Sequence, residues 1–301
     1  MAASQTDKGG FLAALSAYVI WGILPIYWKL LQTAGAYEIL AHRVLWSFVF
    51  MFVLLAFLRK RGDVMRDIRA VCRDTKRLLA VAGGGFIVTA NWGTYIWAVN
   101  HGYIVETSLG YYINPLVSVA LGVFVFKETL SLAKKAAFAI ATVGILNMTW
   151  QLGEVPYIAL FLAISFAVYG ALKKHARLDP FLGIALETLF VAPFALAYMA
   201  HLDCTGASTF TLADPVHALL LIGAGIVTAT PLILFARGVN TLPLNVIGFL
   251  QYCAPTLALI IGVFLYGEPF TPAHAVSFSF IWLALILFSS SEWRAYKRSK
   301  Q

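Results

Sequence analysis

The sequence predicts an all-α integral membrane protein whose ten transmembrane helices form two inverted repeats of five helices. Hydrophobic residues make up 60% of its 301 positions and charged residues only 12%, whereas a soluble domain is about half apolar and about a quarter charged. The chain also divides into apolar runs of helix length. Residues of the first half recur at a fixed spacing in the second half, so the two halves share one design.

Ten apolar runs set the expected positions of the helices. A membrane-spanning helix needs about 20 predominantly apolar residues. We place the runs at residues 9–31, 37–58, 77–99, 104–126, 132–150, 155–173, 180–200, 215–237, 243–266 and 272–292. The first run is too long for the core of a signal peptide, so we interpret it as a retained first helix.

An internal repeat relates residues 1–150 to residues 151–301. When the segment 83–128 is shifted by 140 positions, it falls on 223–268 without a gap. The residues shared by both copies are Gly83 and Gly223, Gly85 and Gly225, Val99-Asn100 and Val239-Asn240, Tyr112 and Tyr252, Pro115 and Pro255, Gly122-Val123-Phe124 and Gly262-Val263-Phe264, and Glu128 and Glu268. Five spans per half is an odd number, so the second copy enters the membrane from the opposite side. Inverted repeats of this kind are common in secondary transporters.

The basic residues give the orientation of the chain. Lysine and arginine are absent from the loops at 32–36, 100–103, 151–154, 201–214 and 267–271. They lie instead at Lys8, in the loop 59–77, at 127–135, at 173–177, at Arg237 and in the tail 294–300. Because cytoplasmic loops carry an excess of lysine and arginine, we expect both termini in the cytoplasm. The net charge of +8 is therefore a topology signal and does not predict a nucleic-acid partner.

Charged residues inside the apolar runs are the first candidates for a functional site. Lys29, near the external end of the first run, either extends its ammonium group to the lipid headgroups or faces a water-filled cavity. A charge within a membrane helix is costly unless it is paired or faces water, so Arg43 is a candidate site residue. Matching Ala36 to Pro180 places Arg43 on Glu187. These two residues either form an ion pair across the repeat axis or are satisfied separately.

Polar and aromatic residues complete a candidate cavity. The amide of Asn91, at the middle of the third run, bonds either a neighbouring helix or a ligand. Pro25, Pro115 and Pro255 are expected to kink their helices, and freed carbonyls beside polar side chains often build transporter sites. The candidate cavity residues are Tyr18, Trp21, Arg43, Asn91, Trp92, Tyr95, Tyr111, Tyr112, Asn114, Gln251 and Tyr252. Each aromatic residue in this set either contacts a ligand or packs against lipid and neighbouring helices.

Four titratable groups could carry a proton if transport is coupled to a proton gradient. They are Glu38, His42, Glu106 and Glu187. Both proton antiport and facilitated exchange fit the sequence. The chain has no G-x-x-x-x-G-K-[ST] loop for nucleotide binding, so ATP is not expected to drive transport directly.

The alternative functions are a membrane-embedded enzyme and a non-transporting sensor. An enzyme needs reactive or metal-binding groups that converge at a water-accessible depth. The six histidines are scattered, without H-x-x-x-H or H-E-x-x-H spacing, so we expect no catalysis, no metal and no cofactor. A sensor would need an output domain, which the sequence lacks. Cys72 falls in a cytoplasmic loop, Cys204 in an external loop and Cys253 within a run, so no disulfide is expected.

Five motifs resemble those of a known transporter family. They are Trp21-Gly22 with Pro25, EILAHRVLWSF at 38–48, NWGTYIWAVN at 91–100, SLGYYINPL at 108–116 and GFLQYCAPT at 248–256. The motifs closely resemble the RarD branch of the EamA-domain transporters, in the drug/metabolite transporter superfamily, and the resemblance covers nearly the whole chain. It implies a permease of the bacterial inner membrane with two EamA repeats. Its cavity would be built mainly by the first, third, fourth, sixth, eighth and ninth helices.

The sequence and this resemblance together predict a secondary transporter. It is expected to export a small metabolite or drug by alternating access through a central aromatic and polar cavity. The expected partners are this substrate and the lipid bilayer. The fifth and tenth helices have apolar and small residues through their middles, which suits either peripheral scaffolding or a homodimer interface.

Overall fold

Helices form the regular structure of the described residues, which are 8–58, 61–126, 132–176, 178–241 and 250–299 of the computed structural model. Their bounds are α1 Lys8–Leu30, α2 Ala36–Leu58, α3 Arg61–Arg73, α4 Thr75–Asn100, α5 Ile104–Phe126, α6 Leu132–Leu152, α7 Tyr157–Ala176, α8 Pro180–Thr205, α9 Pro215–Thr241, α10 Cys253–Ile260 and α11 Pro272–Ser299. A π-helical turn, Ile261–Leu265, continues α10. The predicted all-α class is confirmed.

Five of the described helices are long and apolar enough to cross a membrane. Their apolar stretches are Lys8–Leu30, Ala36–Phe57, Phe181–Thr205, Pro215–Phe235 and Pro272–Ser291. Two shorter apolar stretches are Tyr157–Lys173 and Cys253–Leu265. The chain is therefore a multi-pass membrane protein. The predicted run 243–266 begins within 242–249, outside the described residues, and its described part contains α10 and the π-helical turn.

The segment 59–77, predicted as a basic loop, contains the helix α3. Val64, Ile68 and Val71 recur at intervals of four and three residues, so they share one face of this helix. These residues belong to a hydrophobic cluster that also contains side chains of α2, α4, α7, α8 and α9. Long apolar runs predict spanning helices, whereas α3 is short and rich in charged residues. The sequence pattern therefore did not predict it.

The chain forms two compact units. The first comprises Met1–Pro25, His101–Ala167 and Leu234–Gln301, and the second comprises Ile26–Asn100 and Val168–Ile233. The first unit thus contains α5, α6, α10 and α11, the second contains α2, α3, α4 and α8, and the helices α1, α7 and α9 contribute to both. Each unit draws on both sequence halves.

The core of the first unit lies where α11 packs along α6 and against α5. Phe278 and Ile281 of α11 are fully buried, in a cluster that includes Ile113 of α5. A Cβ atom at Gly144 in α6 would lie 2.9 Å from the Cβ of Phe280 in α11. The small residue therefore lets the two helices approach closely.

Two glycines of the second unit allow helix backbones to meet. A Cβ atom at Gly85 in α4 would lie 2.5 Å from the carbonyl oxygen of Glu187 in α8. A Cβ atom at Gly225 in α9 would clash with the backbone of Trp46 and Ser47 in α2. The Ser47 hydroxyl donates to the carbonyl oxygen of Gly225 at 3.3 Å. Gly85 and Gly225 are equivalent in the internal repeat, so each half provides one such contact.

Candidate functional site

Arg43 is held inside the second unit by two tryptophan rings. It lies in the second turn of α2, and only 4% of its surface is exposed. Its guanidinium carbon is 4.2 Å from the centre of the Trp92 ring and 5.0 Å from the centre of the Trp28 ring. Trp28, from α1, is fully buried. Cation–π attraction of this kind is strengthened by removal from water, so the rings stabilise a buried positive charge.

The face of α4 that carries Asn91 is also buried. Asn91 directly precedes Trp92 and is fully buried, and Tyr95, one turn further along, is 6% exposed. Towards the start of α4, a Cβ atom at Gly84 would lie 3.7 Å from the ring of Tyr169. The structure therefore brings Arg43 and Trp92 together and places Asn91 beside them in the sequence of α4.

Glu187 lies in a second polar cluster of the same unit. Its carboxylate accepts a hydrogen bond from the Tyr169 hydroxyl at 2.8 Å and pairs with the Lys173 ammonium at 3.4 Å. Lys173 also donates to the Tyr169 oxygen at 2.7 Å. Glu187 thus has an ion-pair partner on α7, while its ion pair with Arg43 stays a prediction.

Glu38 and His42, near the start of α2, contact the segment that follows α8. The buried carboxylate of Glu38 accepts from the backbone N–H of Thr209 at 2.7 Å, from the Thr209 hydroxyl at 3.0 Å and from the Ser208 hydroxyl at 3.3 Å. His42 accepts at Nδ1 from the indole of Trp46 at 3.2 Å. Its ring centre lies 5.0 Å from that of Phe210. These contacts give both residues a structural role.

Glu106, in the first unit, caps the start of α7, which begins at Tyr157. Its carboxylate accepts from the backbone N–H groups of Ile158 at 3.1 Å and Ala159 at 3.5 Å, in the first turn of α7. The first N–H groups of a helix have no partner within the helix. Glu106 therefore stabilises the start of α7.

One aromatic cluster of the first unit contains two of the predicted cavity residues. The ring centres of Tyr18 and Trp21 are 5.4 Å apart. The ring centre of Phe235 lies 5.9 Å from that of Tyr18 and 5.6 Å from that of Trp21. Gly22 lets this part of α1 approach α10, since its Cβ would lie 2.7 Å from the Cβ of Leu257. The cluster joins α1, α9 and α10.

A second aromatic cluster surrounds Tyr112. The Tyr112 ring is stacked on Tyr252, with ring centres 6.3 Å apart, and lies edge-on to Phe278 at 5.7 Å. Its hydroxyl shares a 2.5 Å hydrogen bond with Thr256, and only 2% of the residue is exposed. Gln251 directly precedes Tyr252 in the turn before α10. Tyr112 therefore packs in the core of the first unit.

The remaining predicted residues of the first unit contact α7. Tyr111 lies edge-on to Phe166 at 6.2 Å, and the Asn114 amide donates to the carbonyl oxygen of Ala163 at 3.0 Å.

Pro25 lies inside α1 and Pro255 is buried within α10. The side chain of Pro115 is outside the described set, and the three kinks stay predictions.

Four residues with central roles were not predicted from the sequence. They are Trp28, Tyr169, Lys173 and Thr209. Tyr169 and Lys173 lie four residues apart in one apolar run, a spacing that places them on one helix face, so they could have been identified. Among the described residues, no group of three or more His, Cys, Asp or Glu side chains could hold a metal ion.

Comparisons with known proteins agree on one family. The EamA-like transporter family matches the chain at residues 8–150 and again at 156–290. The chain is 44% identical over 300 residues to the uncharacterized transporter YojE of Bacillus subtilis, covering 99% of this chain and 98% of that protein. It is 39% identical over 288 residues to Protein RarD of Escherichia coli, covering 96% of each.

A more distant relative and a solved structure extend the comparison. The chloramphenicol-sensitive protein RarD of Pseudomonas aeruginosa is 30% identical over 278 residues, covering 92% of each protein. A protein of known crystal structure is 18% identical, covers 95% of this chain and 98% of its own, and has a TM-score of 0.59. At that identity the likeness concerns the fold alone.

Proposed function

Because the chain belongs to the EamA-like transporter family, and to its RarD branch, we propose that it is a secondary transporter of the bacterial inner membrane. It exports a small metabolite or drug by alternating access. Its relatives include proteins named as transporters, which favours transport over a membrane-embedded enzyme or a sensor.

The proposed architecture is ten spanning helices in two inverted EamA repeats, residues 1–150 and 151–301. The family matches once within each half. Gly85 contacts α8 at Glu187, and Gly225 contacts α2 at Trp46. When Arg43 is aligned with Glu187, these two contact points fall within one helical turn of each other. The two halves thus make equivalent contacts, which supports the proposed repeat.

The single observation that carries the proposed function is the buried Arg43 between Trp28 and Trp92. Charged groups within membrane helices mark substrate or ion pathways. A guanidinium group keeps its charge beside aromatic rings, and its planar set of N–H donors matches carboxylate or phosphate oxygens. We therefore assign Arg43 to substrate recognition, with Asn91, which precedes Trp92 in α4, as a second candidate. The aromatic clusters around Tyr18 and Tyr112 serve as framework.

Glu187 is the proton carrier if export is coupled to a proton gradient. The carboxylates of Glu38 and Glu106 accept from backbone N–H groups, so protonation would weaken charge-assisted hydrogen bonds to fixed donors. Glu187 is held instead by the side chains of Tyr169 and Lys173. Side chains can reorient when the carboxylate becomes neutral.

Flux measurements in proteoliposomes test this function. The purified chain is screened for thermal stabilisation by amino acids, nucleosides, amphipathic amines, organic anions and chloramphenicol, and the flux of each stabilising compound is measured. We expect saturable flux that Arg43→Gln lowers by at least about tenfold, because a hydrogen bond to a charged group contributes about 1.5–3 kcal/mol. Arg66→Gln, which removes an exposed arginine of α3, is the matched control and should not change the flux.

The same assay, with and without a pH gradient, tests the proton carrier. Glu187→Gln should remove the part of the flux that responds to the gradient, and Glu106→Gln should preserve it. A Glu187→Gln variant with an unchanged response would exclude Glu187 as the carrier. Stabilising compounds without flux under any gradient would favour a sensor or an enzyme over a transporter.

A further inference from the structure

The helix α3 lies at one end of the spanning helix α2. Its thirteen residues begin at Arg61, after the last residue of α2, and end at Arg73. Asp74 then caps α4, because its carboxylate accepts from the backbone N–H groups of Lys76 at 3.0 Å and Arg77 at 3.2 Å. A helix that follows a spanning helix and is itself too short and polar to span lies at a membrane surface.

The sides of α3 differ in chemistry. An α-helix turns by about 100° per residue, which places Val64, Ile68 and Val71 together on the side packed into the second unit. Met65, which is 48% exposed, and Cys72, which is also exposed, occupy the flank next to this packed side. The packed side is therefore continued on one flank by exposed apolar surface.

The charges of α3 are segregated between its two flanks. Asp63 and Asp67 lie on the flank opposite Met65, and both pair with Arg66, at 3.3 Å and 3.6 Å. Arg69 and Arg73 are exposed and lie between Arg66 and the apolar flank. The acidic residues thus compensate Arg66, whereas Arg69 adjoins the apolar flank and Arg73 lies between Arg69 and Arg66 around the helix.

We propose that Arg69 and Arg73 bind the phosphodiester groups of anionic phospholipids while Met65 and Cys72 contact the upper acyl chains. Interfacial helices combine an apolar flank with neighbouring basic residues in this way. The planar guanidinium group matches phosphate oxygens with paired N–H donors. The excess of basic residues on the cytoplasmic side does not by itself explain the arrangement of charges around α3. It would not require Arg69 and Arg73 to be separated from Asp63 and Asp67. The site is distinct from the transport site.

Lipid titration of the purified full chain tests this site. Phosphatidylglycerol or phosphatidylcholine is added to the protein in neutral detergent, and the midpoint of thermal unfolding is followed. We expect phosphatidylglycerol to raise the midpoint at lower concentration than phosphatidylcholine does. Each basic residue near an anionic surface changes the affinity by roughly fivefold. The double variant Arg69→Gln with Arg73→Gln should therefore need about 25-fold more phosphatidylglycerol for half of the shift.

Three controls separate the lipid site from other effects. Arg66→Gln removes an equally exposed charge and should keep the response, because Asp63 and Asp67 already neutralise that arginine. The double variant Arg69→Lys with Arg73→Lys keeps both charges but loses the paired donors, so its response should fall between those of the wild type and the double Gln variant. Glycerol 3-phosphate should not raise the midpoint. If it does, the ligand of this site is a free phosphate and not a lipid headgroup.

Two outcomes would overturn the proposal. One is an unchanged phosphatidylglycerol response in the Arg69→Gln and Arg73→Gln double variant. The other is an equal response to phosphatidylcholine and phosphatidylglycerol. Both variant residues are exposed, so the midpoint in phosphatidylcholine should match the wild type. The midpoint of thermal unfolding does not depend on transport. A failure of this proposal can therefore be distinguished from a failure of the proposed transport function.

Discussion

Gly85 occupies a contact that no larger residue can enter without moving a helix. Its Cβ would lie 2.5 Å from the carbonyl oxygen of Glu187, and a backbone atom within a helix cannot rotate away as a side chain can. We expect Gly85→Ala to lower the free energy of unfolding by about 1–3 kcal/mol, the usual effect of overpacking. Thermal unfolding of the detergent-solubilised protein measures the change.

Gly170→Ala is the matched control for this substitution. Gly170 also lies in a helix, α7, but a Cβ at that position would meet no described atom within 4 Å. Alanine favours a helix over glycine by roughly 0.5–1 kcal/mol, so the unfolding midpoint should stay or rise. Equal losses of stability in both variants would show that Gly85 is not a tight helix contact.

The sequence identified charged residues of the candidate site but not the residues that hold them. Arg43 and Glu187 stand out because each is a charge within an apolar run. Trp28 lies 15 residues before Arg43 in a different helix, and no local spacing connects them. Their contact depends on how helices pack, which the periodicity of one segment does not encode.

At the scale of elements, Glu106 links two helices by a hydrogen-bonded cap. We expect Glu106→Ala to lower the free energy of unfolding by about 1 kcal/mol, because the N–H groups of Ile158 and Ala159 lose their acceptor. Glu106→Gln retains a carbonyl oxygen at this position and should unfold close to the wild type. Thermal unfolding compares the two variants, and equal midpoints would argue against a cap.

Long helices were predictable because a membrane imposes a minimum length on apolar runs. The predicted runs 104–126 and 215–237 correspond to α5 and α9. The helix α3 was not predicted because its packed face has only three residues, Val64, Ile68 and Val71, in a segment rich in arginine. Its packed residues share a hydrophobic cluster with side chains of five other helices, which become neighbours only in the tertiary structure.

At the scale of the molecule, compact units and sequence repeats divide the chain differently. The repeat relates residues 1–150 to 151–301, whereas the second unit joins Ile26–Asn100 to Val168–Ile233. Residues shared by the two halves indicate a shared backbone geometry. They do not predict which helices pack together. The division into units follows from packing between helices that are far apart in the sequence, such as α2, which ends at Leu58, and α8, which begins at Pro180.

The two exposed cysteines lie at opposite ends of α2. Glu38, in the first turn of α2, binds Ser208 and Thr209, which closely follow Cys204. Cys72 lies in α3, which follows the other end of α2. A helix of 23 residues is about 35 Å long at a rise of about 1.5 Å per residue, which matches the thickness of a membrane.

Labelling of these cysteines tests the orientation of the whole chain. Because basic residues favour the cytoplasm, we expect a membrane-impermeant maleimide to label Cys204 in intact spheroplasts and Cys72 only after permeabilisation, with slower labelling of Cys72 because its thiol lies beside lipid. Single-cysteine variants, with the other two cysteines replaced by serine, separate the two signals. Labelling of Cys72 alone from outside would reverse the proposed orientation. Labelling of both in intact spheroplasts would mean that α2 does not cross the membrane, because its two ends would then face the same side.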